Sequence, residues 1–467
     1  MNALASPRRS RGSAHDPRGE DEPLRNIVIS NGFGKFPLAH AAAEIDHAGL
    51  LATFITAAYP GRLSGAFERL APGSLGRTIG RLERRRTDVS PDRVISLAVP
   101  DAVYQLGRMA AAMSGGSLAP DWLDVFAMRL YGAAAANALH RLGLRAGVYH
   151  YRAGFGHSSV SVAKRLGMVA LVNHSAAHPL FFEYLRASRG RFPADGERPN
   201  VGFTWSSIGR DIDRADIVLV NSRFVFESCV RAGIDRSRLR LVYEGVDDEF
   251  LRYLPPQPEP RIAGPARFLF AGYFCVPKGA QVLLKALRQS RGTFSVRVAG
   301  DVDAQAGVDS RNLFGDPRLT FLGYLPRPDL AREYAHADAL VFPSLAEGNA
   351  RVVAEAMSAG CAVITTPNSA DVEDGVHGRV VAPGDAEALA HALDWASERV
   401  DELRRIGAAN REYATSVLTQ RAYGANLIRV YDELMSQQAA SPVRPNGSRS
   451  LAISRRGICS DDANPDP

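Results

Sequence analysis

The feature that most constrains this chain is a series of short, continuous apolar runs that alternate with helical patterns. Each run is three to seven residues long and mostly β-branched. Strands of parallel sheets that are covered on both faces have this composition, and alternation with helices is typical of βαβ units. The predicted strands are residues 26–30, 52–57, 94–99, 147–151, 169–173, 217–221, 239–243, 267–272, 295–299, 320–322, 339–342, 362–365 and 379–381.

One proline-rich stretch interrupts the alternation. Residues 251–268 read LRYLPPQPEPRIAGPARF and contain five prolines, which continue neither a sheet nor a helix. We therefore predict an α/β protein with two Rossmann-like, doubly wound domains whose sheets face one cleft. Both termini are polar and lack a hydrophobic period, which predicts disordered tails. The predicted division is a tail at 1–24, a first domain at 25–252, a linker at 253–265, a second domain at 266–410, a helix at 411–436 and a tail at 437–467.

The net charge of +6 is unevenly distributed along the 467 residues. Residues 24–253 carry a net charge of +8, whereas residues 261–436 carry −2. A basic first domain suits an acidic partner, such as a phosphorylated acceptor or anionic lipid, although a solvated arginine-rich surface explains the charge as well. The sequence has no recognition motif for nucleic acid, so we expect no nucleic-acid partner.

Cysteine usage and hydropathy point to a cytoplasmic location. The four cysteines stand far apart and form no CxxC pair, which argues against a disulfide framework and a zinc ribbon and fits a reducing compartment. The first 25 residues have no apolar core of a signal peptide, and no window has the ~18 uninterrupted apolar residues of a spanning helix. We predict a cytoplasmic protein, with peripheral contact of its first domain with the inner face of the membrane as an option.

The most informative segment is ADALVFPSLAEGNARVVAEAMSAGCAVITT, residues 337–366. A predicted buried strand is followed by a loop that carries Glu347, and a predicted helix over 350–358 ends at Gly360, a residue suited to a left-handed C-cap. Glu347 thus lies beside a helix N-terminus, and Glu355 lies on the helix itself. A helix start favours a diphosphate, and carboxylates accept hydrogen bonds from adjacent hydroxyls. This arrangement suits a ligand with a diphosphate between two polyols, such as a nucleotide sugar.

In isolation the two carboxylates have an ordinary explanation, because Glu347 would stabilise the helix dipole and Glu355 would face water. The wider pattern is more specific. PSxxEG, seven residues between the two glutamates, and EAMSAGCAVITT together resemble the signature of the retaining GT-B glycosyltransferases of family 4, the glycosyl transferases group 1. About 230 residues resemble the family clearly, and the first 140 only loosely. Further similar segments are GYFCVPKGAQVLLKAL at 272–287, LVYEGVDDEFL at 241–251, DIVLVNS at 216–222 and GVHGRVVAPGDAEALAHAL at 375–393.

The resemblance implies a GT-B fold in which the second domain binds the donor and the C-terminal helix returns to the first. Glu355 matches the glutamate that holds the ribose hydroxyls, Glu347 matches the one that contacts the transferred sugar, and Lys278 matches the basic residue on the diphosphate. It also implies retention, with the leaving phosphate assisting the acceptor, and neither a metal nor a cofactor besides the nucleotide-sugar donor. The remaining donor-site candidates are Gly272, Gly348, Asn349, Ala350 and Arg351.

Three positions depart from the family pattern. Tyr273 stands where the family usually has an arginine, so one diphosphate charge is missing or comes from another arginine such as Arg351. Asn349 and Ala350 replace an aromatic-glycine pair, which alters the pocket near the sugar. Glu244 begins the segment that usually reads Asn-Gly-Val-Asp. The identity of the sugar therefore does not transfer from relatives.

The first domain offers a glycine loop and three histidines at strand ends. Gly32 and Gly34 follow the first strand and would let the transferred sugar or a phosphate approach the backbone, although an ordinary turn explains them equally. Their spacing is not GxGxxG, because the third position is a proline, which argues against a dinucleotide oxidoreductase. His174 ends the fifth strand, and the resemblance places a histidine at a similar strand end near the reacting sugar. His150 and His157 are competing candidates.

Two DxD strings, at 211–213 and 301–303, invite comparison with the metal site of GT-A enzymes. We interpret the first as solvated loop charge, and the second lies in the donor half of a GT-B pattern. No His or Cys cluster has metal-ligand spacing, so we expect no metal site.

The predicted function is metal-independent transfer of a sugar from a nucleotide-diphosphate sugar to an acceptor hydroxyl on a glycan, glycolipid or small molecule, with His174 and Glu347 as catalytic residues. Two alternatives remain. One is a catalytically inactive nucleotide-sugar-binding protein of the same fold, and the other is a hydrolase or epimerase that acts on nucleotide sugars.

Overall fold

The computed structural model describes residues 26–34, 37–60, 82–83, 85–113, 121–188, 190–194, 199–256, 264–303 and 316–440. Within these ranges each predicted strand is present, with ends that shift by a few residues. The strands are β1 (Ile27–Ser30), β2 (Leu51–Thr56), β3 (Val94–Ser96), β4 (Val148–Arg152), β5 (Val169–His174), β6 (Ile217–Val220), β7 (Leu239–Leu241), β8 (Ala266–Ala271), β9 (Phe294–Ala299), β10 (Leu319–Gly323), β11 (Ala339–Phe342), β12 (Ala362–Thr365) and β13 (Gly378–Val380).

Helices connect most successive strands, as the alternation predicts. The helices are α1 (Pro37–His47), α2 (Ala98–Met113), α3 (Asp121–Leu142), α4 (His157–Arg165), α5 (Pro179–Ala187), α6 (Phe203–Arg214), α7 (Arg223–Arg231), α8 (Asp248–Leu251), α9 (Ala280–Gln289), α10 (Arg327–His336), α11 (Arg351–Ala359), α12 (Ala386–Glu398), α13 (Val400–Val417) and α14 (Gln420–Ala440).

The strands form two parallel sheets, one in each predicted domain. The first sheet has the order β3-β2-β1-β4-β5-β6-β7, and the second has the order β10-β9-β8-β11-β12-β13. In each sheet, successive strands are first added on one side of the first strand of the domain and then on its other side. The strand order therefore reverses between β1 and β4 and between β8 and β11. Ligands of open α/β sheets bind at such reversals, outside the carboxyl ends of the strands. The fold class is therefore the predicted one, two Rossmann-like domains.

Continuous burial explains why these strands lack alternation. All four residues of β1, and likewise of β6, β11 and β12, are buried, because helices cover both faces of each sheet. The edge strands differ: none of the residues of β3 is buried, and β7, β10 and β13 have one buried residue each.

The two domains are joined where the chain crosses between them twice. Val246 donates its N–H to the carbonyl of Leu418 at 2.8 Å, and the side chain of Gln420 donates to the carbonyl of Gly245 at 3.0 Å. A Cβ at Gly245 would lie 2.3 Å from the carbonyl oxygen of Thr419, so a larger residue there would force the crossing strands apart. Of the predicted linker at 253–265, residues 257–263 lie outside the described residues.

Two predicted boundaries differ from the structure. The strand predicted at 94–99 ends at Ser96, and α2 begins at Ala98, because Pro100 is tolerated in the first turn of a helix. The helix predicted at 411–436 is two helices: α13 packs on the second domain, and α14 returns to the first domain against α1.

The last helix also extends to Ala440, so the tail predicted from residue 437 begins at least four residues too early. The side chain of Gln438 explains this, because it accepts a hydrogen bond from the N–H of Gly147 at 3.2 Å and donates one to the carbonyl of Gly167. Residues 1–25 and 441–467 lie outside the described residues. Among the helices described, none is both long and apolar enough to cross a membrane.

Candidate active site

Lys278 and Glu347 form an ion pair at the carboxyl edge of the second sheet. The Nζ of Lys278 lies 3.1 Å from Oε1 of Glu347, and both side chains are about a quarter exposed. Gly272, which follows β8, has a φ of +110°, and a Cβ there would lie 3.8 Å from the same Nζ. Three predicted donor-site residues therefore meet at one place, where a cation remains accessible to a phosphate.

A short helical turn explains the position of Lys278. Residues Val276–Lys278 form a 3-10 turn that ends at Gly279, whose φ is +80°. A Cβ at Gly279 would lie 2.0 Å from the carbonyl oxygen of Pro343, so only glycine allows this turn to pack on the chain that follows β11. The Lys-Gly pair in the sequence thus has a direct structural reason.

Glu355 lies on the second turn of α11, as predicted, and is half-buried. The hydroxyl of Tyr334 donates to its Oε2 at 3.2 Å. Burial raises the pKa of Glu355, while the nearby charge of Arg351, the hydrogen bond from Tyr334 and the charge of Arg327 oppose that rise. The carboxylate is therefore oriented by a neighbouring side chain and sits within the field of two arginines.

The loop between Glu347 and α11 is held by hydrogen bonds from its backbone. The N–H of Glu347 donates to the carbonyl of Asn368 at 2.9 Å, and that of Ala350 donates to the carbonyl of Ser369 at 2.8 Å. Ala350 is the N-cap residue of α11, Arg351 is exposed, and the helix ends at Gly360 with φ +90°, as predicted.

Gly348 lies at a close contact between the two domains. A Cβ there would lie 1.7 Å from the carbonyl oxygen of Ser175, the residue after His174. The hydroxyl of Ser222 donates to the carbonyl of Gly348 at 2.6 Å. Asn368 adds a second bridge, because its side-chain amide donates to the carbonyls of Gly190 in the first domain and Leu345 in the second. The loop between Glu347 and α11 is thus fixed against the end of β5.

His174 ends β5 at this contact and is buried. Its Nε2 lies 3.3 Å from the carbonyl oxygen of Ala177. Burial lowers the pKa of His174 to about 3, and the neighbouring His178 adds to that effect. A neutral imidazole at this place can donate or accept a hydrogen bond but carries no charge near neutral pH.

The glycine loop of the first domain is packed by aromatic rings. Gly32 has a φ of +77°, its N–H donates to the hydroxyl of Tyr131 at 3.1 Å, and a Cβ there would meet the ring of Phe155 at 2.7 Å. Gly34 has a φ of +84°, and its carbonyl accepts from the side chain of Asn31 at 2.7 Å. Both glycines are required by the backbone turn and its packing, and Gly34 lies nearer to solvent.

The two competing histidines are occupied in structural contacts. His150 lies inside β4, and its Nδ1 is 2.6 Å from the hydroxyl of Tyr431 on α14. His157 begins α4, with Nε2 3.5 Å from the hydroxyl of Ser207 on α6. His174, in contrast, ends β5 next to Ser175, the residue that Gly348 approaches.

The prediction of solvated loop charge at 211–213 is wrong. Asp211 is buried within α6, and its carboxylate accepts hydrogen bonds from the N–H groups of Gly154, Gly156 and His157 at 2.8–3.0 Å. It therefore anchors the start of α4. The second string follows β9, where Phe274 exchanges backbone hydrogen bonds with Asp301 and Asp303. Among the described residues, no three His, Cys, Asp or Glu side chains are grouped so as to hold a metal ion.

Sequence reasoning underestimated the polar residues that follow β6 and β7. The side chain of Asn221 donates to Oε1 of Glu244 at 3.2 Å, and both residues are buried. Burial raises the pKa of Glu244 to about 7, opposed by Asn221 and by the charges of Arg351 and Arg152. A polar residue directly after an apolar run is the signal that would have identified both, because strand ends of both domains face the cleft.

A cavity of about 640 Å³ separates this part of the first domain from the second. Tyr243 and Glu244 line it on one side, and Asn349 and Val353 line it on the other. Its size suits a small molecule. The cavity adjoins the loop that carries Glu347, so the cleft between the two domains continues past the predicted donor-site residues.

Comparison with known proteins addresses the second domain directly. Residues 265–398 match the family described as Glycosyl transferases group 1. The matched range covers most of the second domain. A D-inositol 3-phosphate glycosyltransferase of Mycobacterium sp. strain KMS is 29% identical over 231 residues, which is 45% of this chain and 51% of the relative. The chain spans between a third and about half of the length of the curated relatives it matches.

Solved structures extend the likeness of fold to both domains. Sucrose-phosphate synthase from Thermosynechococcus elongatus aligns with a TM-score of 0.60 at 18% identity, over 88% of this chain and all of that one. Anabaena Alr3699/HepE, solved in complex with UDP, aligns with a TM-score of 0.54 at 17% identity, over 87% of this chain and all of that one. The arrangement of two facing Rossmann-like domains is thus the GT-B fold.

Proposed function

We propose that this protein is a retaining glycosyltransferase of family 4 that moves a sugar from a nucleotide-diphosphate sugar to an acceptor hydroxyl without a metal ion. The observation that carries the proposal is the pair of Lys278 and Glu347 at the carboxyl edge of the domain that matches group 1 glycosyl transferases. A cation and a carboxylate at one strand end offer partners for a diphosphate and for sugar hydroxyls, respectively.

The donor would lie along the edge formed by β8, β11 and the start of α11. In this arrangement Glu355 accepts hydrogen bonds from the ribose hydroxyls, and its orientation by Tyr334 supports that role. Lys278 would leave Glu347 to meet the diphosphate, and Glu347 would then accept from hydroxyls of the transferred sugar. Arg351, exposed at the first position of α11, is the cation best placed to supply the charge that Tyr273 lacks.

The reaction breaks the bond between the anomeric carbon and the diphosphate oxygen and forms a bond from the acceptor oxygen on the same face of the sugar. The leaving phosphate takes the proton of the acceptor hydroxyl. Lys278 and the start of α11 stabilise the charge that develops on the diphosphate. His174 would position a sugar hydroxyl through a hydrogen bond, because its lowered pKa rules out a charged imidazole at neutral pH.

The comparisons suggest where to look for substrates. A fold neighbour is solved with UDP-glucose, and several curated relatives are named D-inositol 3-phosphate glycosyltransferase. We therefore propose a UDP-sugar donor and a polyol or glycoside acceptor. The neutral, buried polar residues that end β5 and β6 suit the hydroxyl groups of an acceptor. The basic charge of the first domain is also compatible with a phosphorylated acceptor or with an anionic membrane.

Three described cysteines, Cys229, Cys275 and Cys361, are buried free thiols, which supports a reducing, cytoplasmic location. Tyr273 in place of an arginine is the observation that favours the alternative of an inactive nucleotide-sugar-binding protein.

One experiment separates the possibilities. The protein is incubated with a panel of nucleotide sugars, with and without acceptors such as inositol, inositol phosphate and simple glycosides, and nucleotide release is measured. Release that requires an acceptor, with a product whose anomeric configuration matches the donor, is expected. Release without acceptor would instead indicate a hydrolase, and tight binding without turnover would indicate the inactive alternative.

A further inference from the structure

The cavity of about 640 Å³ between the domains lies behind α11, and we call it the rear cavity. Val353 and Met357 line it, and they are four residues apart on α11, a spacing that places them on one face. The donor-site candidates Arg351 and Glu355 are also four residues apart, and each is separated from Val353 by roughly 200° of helix rotation. The donor-site candidates on α11 and the rear cavity therefore lie on opposite faces of this helix.

The contact at Gly348 separates the rear cavity from the ion pair of the donor site. Glu347 pairs with Lys278 on one side of Gly348 along the chain, and Asn349 lines the rear cavity on the other side. The carbonyl of Gly348 accepts a hydrogen bond from the hydroxyl of Ser222 in the first domain at 2.6 Å. The loop is closed against the first domain between these two places, so the rear cavity is a site of its own.

Apolar and aromatic side chains from both domains line the rear cavity. Phe224 comes from α7 of the first domain, Met357 from α11, and Leu418 from the second crossing between the domains. The ring of Tyr413 on α13 lies against the ring of His377, with centroids 5.2 Å apart, and both residues line the same space. A cavity of this size and lining suits a small molecule with an apolar or aromatic body.

Carboxyl groups outnumber cations around the rear cavity. Among the described residues that line it, one is an arginine, Arg223, and four carry carboxyl groups, namely Glu227, Glu244, Asp371 and Glu373. Burial lowers the pKa of His377, against the effect of Glu373, so this imidazole is neutral near neutral pH.

Two of the four carboxyl groups are wholly or partly neutralised. Arg236 contacts both carboxylate oxygens of Glu227 at 3.1 Å. Burial raises the pKa of Glu244 to about 7, against the charges of Arg351 and Arg152, so this group is partly protonated near neutral pH. Asp371 and Glu373 remain, and they leave an excess of negative charge over the single charge of Arg223. This balance favours a cationic ligand over an anionic one.

Asp371 is the carboxylate best held to meet such a cation. Its two oxygens accept the backbone N–H of Arg223 at 2.9 and 3.2 Å, so the first domain fixes its position. The carboxylate also contributes, after burial, to raising the pKa of Tyr243, which places the phenol beside it. A carboxylate offers about four acceptor positions, so Asp371 keeps capacity to accept hydrogen bonds from an ammonium group.

We propose that the rear cavity binds a small organic cation, an ammonium group carried on an apolar or aromatic body. The body packs between Phe224, Met357 and Leu418, and the ammonium group donates hydrogen bonds to Asp371. The site is separate from the donor and acceptor sites of the proposed function and does not depend on that function.

The test measures binding of three indoles to the full chain by calorimetry, without donor or acceptor, so its failure is distinguishable from a failure of the proposed function. Tryptamine, tryptophol and indoleacetate share one aromatic body and carry a cationic, a neutral and an anionic group, respectively. We expect tryptamine to bind about tenfold more tightly than tryptophol, because charge-assisted hydrogen bonds are stronger than neutral ones. Indoleacetate should bind more weakly than either.

Two substitutions locate the site, each with a matched control. Asp371→Asn should weaken tryptamine binding about tenfold and leave tryptophol binding unchanged. Asp374→Asn, at an exposed carboxyl of the same loop, should alter neither. Ala354→Phe places a ring in the rear cavity and should weaken both ligands about tenfold or more, because the space for the indole is filled. Ala409→Phe, at an exposed position of α13, should not.

Glu347→Ala is a third variant, which tests whether the amine lies in the donor site instead. It should leave tryptamine affinity unchanged, and thermal unfolding confirms that each variant is folded. The proposal is overturned if the full chain binds none of the three indoles, or if it prefers indoleacetate. It is equally overturned if Asp371→Asn leaves tryptamine affinity unchanged, or if Glu347→Ala weakens it, since the second result would place the amine beside Lys278.

Discussion

The carboxyl edges of the two sheets face each other but differ in chemistry. The second sheet ends in accessible charges, Lys278 and Glu347, together with Arg351 at the start of α11. The first sheet ends in more deeply buried groups, and His174 with a pKa of about 3 and Glu244 with a pKa of about 7 are neutral or close to neutral there, whereas Arg152 at the end of β4 keeps its charge. Both effects have one physical origin, because burial disfavours a charged group and partial exposure tolerates it.

In the proposed function this difference corresponds to two tasks. A diphosphate needs fixed positive charge, which partial exposure keeps ionised, whereas an acceptor hydroxyl needs hydrogen-bonding groups without a net charge. The family match covers residues 265–398, which lie in the second domain. The comparison therefore predicts that substitutions at the charged edge act on the donor, and that substitutions at the buried edge act on the acceptor side and on stability.

The largest effect is expected at the charged edge. Lys278→Ala should lower turnover about 10²–10³-fold, because losing one donor aimed at developing charge costs about 2.7–4 kcal/mol. Lys285→Ala, an exposed lysine on α9 of the same domain, is the matched control and should behave like the unmodified protein. Steady-state rates with the preferred donor measure both. Turnover of Lys278→Ala at the unmodified rate would show that this strand end does not hold the diphosphate.

A smaller effect is expected from substituting Glu355 and Glu347, and the two substitutions should affect different steps. Glu355→Ala should weaken binding of nucleotide diphosphate by about 1.5–3 kcal/mol, because hydrogen bonds to a charged acceptor are lost. Glu347→Ala should leave that binding nearly intact and reduce turnover with the whole donor, where positioning of the sugar ring determines the rate. Calorimetry with nucleotide diphosphate measures the first effect and kinetics the second.

Thermal unfolding of both variants controls for stability, because Glu347 also lies near the start of α11. Equal weakening by both substitutions, or weakening by Glu347→Ala alone, would contradict this division of roles.

The buried carboxyl edge of the first sheet should make the free energy of unfolding depend on pH. The pKa of Glu244 is about 7 in the fold against an ordinary value of 4.5, so between these values the folded chain binds a proton that the unfolded chain has released. The free energy of unfolding should therefore fall as pH rises from about 4.5 to 7 and level off above. The Glu244→Gln variant lacks this titration, so its free energy of unfolding should not fall over this range. The free energy of unfolding of the variant minus that of the unmodified chain should therefore be about 1–3 kcal/mol larger at pH 8 than at pH 5.

Denaturant unfolding of Glu244→Gln at several pH values measures the effect, and Glu227→Gln, an exposed carboxyl on α7, is the control. A difference between the Glu244 variant and the unmodified chain that does not change with pH would mean that Glu244 is ionised in the fold throughout this range.

The smallest expected effect concerns metal. Activity should persist in excess EDTA, because Lys278 and the start of α11 meet the diphosphate charge in the proposed mechanism. Turnover before and after chelation measures this. Activity that disappears with EDTA and returns with manganese or magnesium would identify the DxD segment at 301–303 as a metal site.

The order of residues along the chain was enough to predict the layers of the fold and to place the candidate donor-site residues of the second domain. Continuous apolar runs specified parallel strands, since only strands covered on both faces bury every residue, and the proline-rich break at 251–268 separated the domains. The sequence also placed Lys278, Glu347 and Gly272 at strand ends of one sheet, and the structure brings these three together. The order of residues along the chain was sufficient for this prediction, because all three residues belong to one domain.

Only the tertiary structure decided what depends on contacts between distant segments. The burial of Asp211 under three backbone N–H groups, the contact of Gly348 with Ser175, and the pairing of Asn221 with Glu244 each join residues 23 to 173 positions apart. Periodicity cannot report such contacts, because it records which face of an element is apolar and not which partner covers it. For the same reason the sequence, which favoured His174 through the family resemblance, could not show that His150 contacts Tyr431 and His157 contacts Ser207.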